Sequence, residues 1–202
     1  MACSVTAGRT IDCRDSVGGL KAVFFCSTYN NNTVEELTLT ASSYTITDAG
    51  FADWTIVGTP TTGDVTVYKY DLVTDLSDFK PAAIEADKAT GSVMWNQTLN
   101  IVLQKIAAAD LFQLQKIAQD RMQIFVQDSN DNVFLMGAED GCYLTGGDTI
   151  STGASRSDAH GLNLTFTAKE RVPSYILAAT DGAGTALYPF DGLVDSADLT
   201  IL

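Results

Sequence analysis

The glycine-rich stretch GAEDGCYLTGG, residues 137–147, is the part of the chain whose residue types and spacing most suggest chemistry. Closely spaced glycines are typical of loops that bind phosphate through backbone N–H groups. A P-loop, however, continues into Gly-Lys-Ser or Gly-Lys-Thr, and here an aspartate follows the last pair of glycines. The carboxylates of Glu139 and Asp140 would also repel phosphate. The stretch is therefore predicted to form turns and a short strand rather than a nucleotide site.

The same stretch carries a thiol, Cys142, and the chain has one histidine, His160. Together they could supply the nucleophile and the base of a thiol hydrolase. Acidic neighbours raise the pKa of a thiol and lower its reactivity, which argues against this role. Ser157 and Asp158 beside His160 are residue types of a hydrolase triad, but near-adjacent positions rarely converge on one substrate. We therefore predict no catalytic residue and keep the thiol hydrolase as the enzyme alternative.

The cysteines are also candidates for a zinc site. Structural zinc sites usually take their thiolates in close pairs, such as two cysteines separated by two residues. No such pair occurs, and the acidic clusters do not match the spacing of a calcium-binding EF-hand. The cysteines concerned are Cys3, Cys13, Cys26 and Cys142. The sequence therefore predicts buried thiols, no metal and no cofactor.

The chain of 202 residues has a formal net charge of −13, and the acidic excess is uneven. No lysine or arginine occurs between Lys21 and Lys69, and none follows Arg171. Such a surface disfavours a protein that grips nucleic-acid phosphates, but it permits DNA to slide past without sticking. We see no secretory signal and no apolar run long enough to cross a membrane, so we expect neither export nor membrane insertion.

Alternating apolar residues predict strands in much of the chain. The segment 93–103 alternates most clearly, and its apolar face is predicted to pack in the core. That face consists of Val93, Trp95, Leu99, Ile101 and Leu103. The segment 64–72 predicts a second strand. We expect the two strands to be joined by the irregular stretch 73–92 as an extended hairpin whose tip has no core of its own.

One amphipathic helix is predicted after these strands. Asp110 is its expected N-cap, and Gln113 resembles the second member of a capping box. The apolar stripe of the helix is expected to pack on a neighbouring sheet. That stripe consists of Leu111, Leu114, Ile117 and Ala118.

The rest of the chain continues mainly as strands. RMQIFVQDSNDNVFLMG, residues 121–137, predicts a hairpin that turns at DSNDN. HGLNLTFTAKE, residues 160–170, predicts a strand whose apolar face consists of Leu162, Leu164, Phe166 and Ala168. Many strands, one helix and no alternation of strands with helices predict a mainly β fold with one flanking helix, as a β-sandwich or rolled β-barrel. We expect a single domain over residues 1–202 that ends in an arm at 178–202.

Two segments resemble tail structural proteins of tailed bacteriophages. In the first, CSVTAGRTIDCRDSVGGLKAVFF, a turn of the type Cys-[Lys/Arg]-Asp-x-x-Gly-Gly-[Ile/Leu]-Lys leads into the first strand. The matching residues are Cys13, Arg14, Asp15, Gly18, Gly19, Leu20 and Lys21. The second segment, from Leu111 to Leu177, is similar to phage tail-tube proteins in its order of helix, hairpin, glycine loop, strand and proline-containing turn.

The resemblance implies a tail-tube-like fold and a structural role in the virion without catalysis. Tail-tube proteins assemble as hexameric rings that stack into a hollow tube, and their sheets line the channel. An extended hairpin typically reaches onto the neighbouring subunit, and residues 73–92 are the expected equivalent. The contact residues expected there are Asp78, Phe79, Lys80, Pro81, Ile84 and Glu85.

The partners implied are further copies of the chain, other phage tail proteins, and DNA that passes through an acidic lumen without specific binding. The expected location is the virion tail, assembled in the cytoplasm of the host bacterium. Alternatives in the same class are a head–tail connector or neck ring, a decoration protein and a relative of bacterial secretion tubes. The alternative of another class is a carbohydrate- or receptor-binding β-sandwich with Trp54 and Trp95 as sugar platforms.

Overall fold

The computed structural model contains two sheets and one helix. It describes residues 16–26, 45–46, 65–87, 91–105, 107–146, 150–153, 155, 160–177 and 199–201. The elements are β1 (Leu20–Cys26), β2 (Thr45–Ile46), β3 (Val65–Asp71), β4 (Asp78–Asp87), β5 (Ser92–Gln104), α1 (Ala108–Gln119), β6 (Gln123–Asp128), β7 (Val133–Met136), β8 (Tyr143–Gly146), β9 (Gly161–Glu170), β10 (Tyr175–Leu177) and β11 (Leu199–Ile201). The predicted mainly β fold with one helix is confirmed for this part of the chain.

The strands form a seven-stranded sheet in the order β11-β3-β1-β6-β7-β10-β2 and a four-stranded sheet in the order β4-β5-β9-β8. Neighbouring strands are antiparallel except in two short parallel pairs, β10 with β2 and β11 with β3. Within the described ranges neither sheet closes on itself. The sandwich is therefore the form that the chain adopts, and the rolled barrel is wrong.

The hydrophobic core lies between the two sheets. The seven-stranded sheet contributes Leu20, Val23, Phe25, Ile124, Val126 and Met136, and the four-stranded sheet contributes Leu99, Ile101, Leu162, Leu164, Phe166 and Ala168. Phe25 and Phe166 meet across the core with ring centroids 5.5 Å apart. The predicted apolar face of β9 is confirmed, because its four residues are all buried. Removal of this apolar surface from water is the main force that holds the sheets together.

The strand that pairs with β5 differs from the one predicted. The sequence predicts that 64–72 and 93–103 form the two strands of one hairpin, but β3 lies in the seven-stranded sheet and pairs with β1. The partner of β5 is β4, which forms within the stretch 73–92. Alternation shows which side chains face the core but does not select a pairing partner, and consecutive strands with a short connection pair most readily.

The helix begins earlier than predicted. Ala108 is its first residue, so Asp110 lies inside the first turn and the predicted capping box is wrong. The alanines at the start favour the helical backbone more than any other residue, which accounts for the two extra residues. Leu114 and Ile117 pack against the core as predicted. Leu111 stays exposed, and so does Phe112, whose ring lies 4.6 Å from the Lys116 ammonium.

The predicted hairpin at 121–137 is confirmed as β6 and β7, which pair antiparallel. Its turn is stabilised by Asp128, whose Oδ1 accepts hydrogen bonds from the backbone N–H groups of Asn130 and Asn132, both at 2.8 Å. Aspartate commonly stabilises a turn in this way. At the other end of the chain, β11 pairs with β3 of the same subunit. Residues 178–198 of the predicted arm lie outside the described residues.

Candidate assembly surface on the β4–β5 hairpin

The apolar inner face of the four-stranded sheet continues beyond the core onto the β4–β5 hairpin. Ile84 pairs with Trp95 and Ala86 pairs with Val93, so all four side chains share the face that carries Leu99. Leu99 is completely buried, whereas Ile84 is 65% exposed and Val93 is 52% exposed. We name Ile84, Ala86, Val93 and Trp95 the apolar extension. Within the described residues it forms a continuous apolar strip with incomplete cover.

The β4–β5 hairpin extends further than β9, its neighbour in the sheet. β9 pairs with β5 only as far as Trp95, which lies opposite Glu170. Beyond that point β5 is paired with β4 alone, through Met94, Val93 and Ser92. Because no third strand is paired there in the described structure, the end of the hairpin has two strands only. We call this end, residues 85–87 and 92–94, the arm; it is distinct from the C-terminal arm predicted at 178–202. An isolated two-stranded ribbon is marginal in water, so this arm depends on the core at its base.

A β-bulge in β4 keeps the apolar residues of the hairpin on one face. The register shifts between Lys80 and Ala83, after Phe79 has paired with Leu99. The shift places Pro81 at the bulge, where the missing N–H of proline is tolerated. The carbonyl of Pro81 accepts hydrogen bonds from the backbone N and the Oγ of Ser174, at 3.3 and 3.0 Å.

The opposite, outer face of the hairpin is polar, and its carboxylates are hydrogen-bonded within the subunit. The Glu85 carboxylate accepts hydrogen bonds from Lys169 Nζ at 2.9 Å and from Asn96 Nδ2 at 2.8 Å. These two bonds, led by the one from Lys169, lower the pKa of Glu85. Asp78 accepts a hydrogen bond from Asn100 Nδ2 at 2.9 Å. The hairpin therefore has one polar face and one apolar face, as expected of an element that buries only one side.

The six contact residues predicted from the sequence have different environments. Phe79 packs against the core, with its ring centroid 5.8 Å from that of Phe134, and Pro81 is half-buried. Asp78 and Glu85 are exposed but bound within the subunit, as described above, and Lys80 is exposed. Ile84 alone among the six presents a large exposed apolar side chain, which makes it the best placed for a contact with another molecule.

Sequence reasoning missed part of the apolar extension. Val93 and Trp95 are predicted as core residues, but Val93 is exposed and Trp95 is only half-buried. The signal that could have identified them is length, because β5 has 13 residues and is longer than the core that it crosses. Trp54, which the carbohydrate-binding alternative would use as a sugar platform together with Trp95, lies outside the described residues.

The glycine loop at 137–141 closes the core just below the arm. Gln97 Oε1 accepts a hydrogen bond from the Gly137 backbone N at 3.1 Å, and Gln123 Nε2 donates to the Ala138 carbonyl at 3.0 Å. Gly137 has φ +74°, and a Cβ there would lie 2.7 Å from the backbone N of Cys142. Only glycine fits this position without strain. The prediction of turns followed by a short strand is confirmed.

Glu170, which is not among the site residues predicted from the sequence, is hydrogen-bonded to this loop. It is completely buried, and its carboxylate accepts hydrogen bonds from the backbone N–H groups of Glu139 and Asp140, both at 3.2 Å. Burial raises the pKa of Glu170 to about 7; the two hydrogen bonds oppose this shift, and the charges of Asp140 and Glu139 add to it. The loop therefore surrounds a carboxyl group that titrates near neutral pH.

The structure does not bring Cys142 and His160 together. The Cys142 thiol is completely buried and donates to the Met122 carbonyl at 3.0 Å. Burial, with the nearby charge of Glu170, raises the pKa of this thiol and keeps it protonated. Tyr143 pairs with Thr167, and His160 precedes β9 at its far end, roughly 20 Å away at the rise of an extended strand. A nucleophile and its base must lie within hydrogen-bond reach.

Cys26 and Cys142 are both buried, and Cys3 and Cys13 lie outside the described residues. Among the residues that the structure describes, no three His, Cys, Asp or Glu side chains are grouped so that they could hold a metal ion. The described part of the chain also contains no helix long and apolar enough to span a membrane.

Comparisons of the chain with protein-family models, with curated proteins and with solved structures found no match.

Proposed function

We propose that the chain is a structural subunit of a phage tail tube, which assembles with copies of itself into stacked rings around a channel for DNA. The observation that carries the proposal is the apolar extension on the β4–β5 hairpin. Two of its members, Ile84 and Val93, are more than half exposed in the isolated subunit. A contiguous apolar strip on a soluble protein commonly marks a contact with another protein.

The open four-stranded sheet supports the same proposal. Its two edges are β4 and β8, and an edge strand offers backbone N–H and C=O groups to another chain. A contact between the β4 edge of one copy and a different surface of the next copy is head-to-tail. Such contacts close into a ring when the rotation between neighbouring copies closes. Under the proposal, the arm of each subunit lies on the next subunit in the ring.

The charges of the chain fit a channel through which DNA passes. The outer face of the four-stranded sheet carries neutral polar side chains along its two central strands. On this face the Lys169 ammonium is bound to Glu85, and the exposed Lys80 lies two residues from Asp78 on β4. The neutral residues are Asn96, Thr98, Asn100, Thr165 and Thr167. The chain as a whole carries a net charge of −13. A channel wall built from this face would release few counterions on contact with DNA phosphates, so DNA would not be retained.

Negative-stain electron microscopy of the purified protein across a concentration series tests the proposal. We expect rings or stacked tubes of uniform bore for the unaltered chain. The variants Ile84→Asp and Val93→Asp place a charge in the apolar extension and should abolish these particles. Leu76→Asp is the matched control, because Leu76 is also an exposed apolar residue but lies outside the hairpin, at 45% exposure.

The outcomes separate the tube from its alternatives. Rings that never stack, together with a low copy number in virions, would favour the head–tail connector or neck ring. A protein that stays monomeric at every concentration and is absent from virions would refute a structural role in the particle. Equal loss of assembly in Leu76→Asp and in the hairpin variants would show that the apolar extension is not the contact.

A further inference from the structure

Glu170 occupies an unusual position for a carboxyl group. It ends β9 on the inner face of the sheet, directly opposite Trp95 at the base of the arm. The loop 137–141 covers it, and within the described residues its two oxygens accept hydrogen bonds from the backbone N–H groups of Glu139 and Asp140 and from no other donor. A backbone amide supplies a partial charge but no counter-ion, so ionisation leaves a buried negative charge with incomplete compensation.

The charged groups around Glu170 make its ionisation less favourable still. Glu139 and Asp140 belong to the covering loop and repel it, and the thiol of Cys142 lies nearby. From β5, the facing residues are Trp95 and Gln97, which do not ionise. The Arg121 guanidinium lies beside Asp140, with Nη2 3.8 Å from Oδ1 and Nε bound to the Asp140 carbonyl. Lys169 is the neighbour in sequence but lies on the outer face with Glu85.

We propose that Glu170 is a proton-operated latch, which keeps the loop 137–141 closed over the base of the arm when it is protonated and releases the loop when it is ionised. Opening admits water to the carboxylate and moves it away from the acidic residues of the loop. The latch is a property of the single subunit and holds whether or not the chain forms a tail tube.

The direction of the effect follows from linkage. The closed loop holds Glu170 at a pKa of about 7, and in the opened, hydrated state the value returns toward 4.5. The closed loop is therefore most stable below pH 4.5, where Glu170 is protonated in both states. Its stability falls as the pH rises from 4.5 to about 7 and stays low above pH 7. Over this pH range the equilibrium constant for opening of the loop should increase on the order of 100-fold.

The loop is suited to open locally. Gln97 Oε1 accepts a neutral hydrogen bond from the Gly137 N–H, and Gln123 Nε2 donates one to the Ala138 carbonyl. Arg121 Nε donates to the Asp140 carbonyl. Gln123 Oε1 is buried without a hydrogen-bond partner, so this polar cluster is incompletely satisfied even when closed. Unsatisfied buried acceptors destabilise the closed arrangement, and opening would hydrate this one.

Hydrogen–deuterium exchange of a peptide that spans 137–141 tests the latch, with rates corrected for the intrinsic pH dependence of exchange. In the unaltered chain we expect protection to fall between pH 4.5 and pH 8 by on the order of 100-fold, whereas a peptide from the centre of β9 should keep its protection. Glu170→Gln retains an acceptor oxygen without the charge, and the loop should then stay protected across the range. Glu85→Gln, on the outer face, is the control and should behave like the unaltered chain.

A second variant keeps the test decisive if Glu170→Gln does not fold. Glu139→Gln removes one repulsive charge from the loop and should lower the pKa of Glu170 in the closed loop. The fall in protection between pH 4.5 and pH 8 should therefore be smaller than in the unaltered chain. Corrected protection that does not change with pH in the unaltered chain would overturn the latch. So would a pH dependence that persists unaltered in Glu170→Gln, or a fall in protection in Glu139→Gln as large as that of the unaltered chain.

Discussion

Ile84 and Leu99 lie on the same face of the same pair of strands, and we expect their truncation to have opposite consequences. Leu99 is completely buried, so Leu99→Ala should lower the free energy of unfolding by about 2–5 kcal/mol. Ile84 is 65% exposed, so Ile84→Ala should lower it by less than about 1 kcal/mol. The same chemical change thus separates a residue that holds the subunit together from one that does not.

For self-association we expect the reverse: Ile84→Ala should have the larger effect and Leu99→Ala the smaller. Complete burial of an isoleucine side chain is worth about 1.5–3 kcal/mol, and most of that surface of Ile84 is still available for a partner. Loss of the side chain should therefore weaken each contact by about 1–2 kcal/mol, or roughly 5- to 30-fold in the association constant. Leu99→Ala should leave that contact unchanged wherever the variant is folded.

Urea unfolding followed by circular dichroism measures the first quantity, under dilute conditions where the chain is monomeric. Sedimentation velocity across a concentration series measures the second. Ile84→Ala that unfolds as readily as Leu99→Ala would show that Ile84 is covered within the subunit. Ile84→Ala that assembles at the same concentration as the unaltered chain would show that the apolar extension is not an interface, and the reasoning from exposure to function would be refuted.

Three further variants test the loop and its anchors by urea unfolding. Glu170→Gln should raise the free energy of unfolding by about 2–3 kcal/mol at pH 8 and by little at pH 4, because the ionised carboxylate destabilises the fold only above its unfolded pKa; an equal effect at both pH values would contradict this. Gly137→Ala should destabilise by about 1–3 kcal/mol, since φ is +74° and the added Cβ meets backbone; a neutral result would mean that the loop shifts freely. Gln97→Leu should cost about 1–3 kcal/mol by leaving the Gly137 N–H without its acceptor; no loss would indicate that water replaces the side chain.

The parts of the fold that sequence predicts well are those set by local patterns. The alternation in 160–170 identifies the core face of β9, and the DSNDN turn locates the β6–β7 hairpin, because both depend on residues close together in the chain. The start of α1 is missed by two residues because the alanines before Asp110 favour the helical backbone. The pairing of β5 with β4 rather than β3 is missed because Pro81 and the charged residues make 73–92 resemble an irregular connection, so no strand is predicted there.

The residues of the candidate surface are harder to predict, because their exposure depends on where other parts of the fold end. Ile84 is predicted as a contact residue because the resemblance to tail-tube proteins implies an extended hairpin in the long irregular stretch 73–92. Trp95 and Val93 were assigned to the core, since alternation gives the direction of a side chain but not where the opposite sheet ends. The alternation in β9 places Glu170 on the core face, but its polar environment arises only when the loop 137–141 folds over the end of β9.

The uninterrupted course of β5 from core to arm has a consequence for the thermodynamics of association. Residues 92–94 and 85–87 are already paired as strands in the single subunit. A segment that becomes ordered only on binding loses about 1–2 kcal/mol of backbone conformational entropy per residue, which is subtracted from the affinity. An arm that is rigid beforehand avoids that loss, and its orientation is inherited from the register of the core. In the proposed ring, the register of β5 in the core would therefore set the direction in which the arm meets the next subunit.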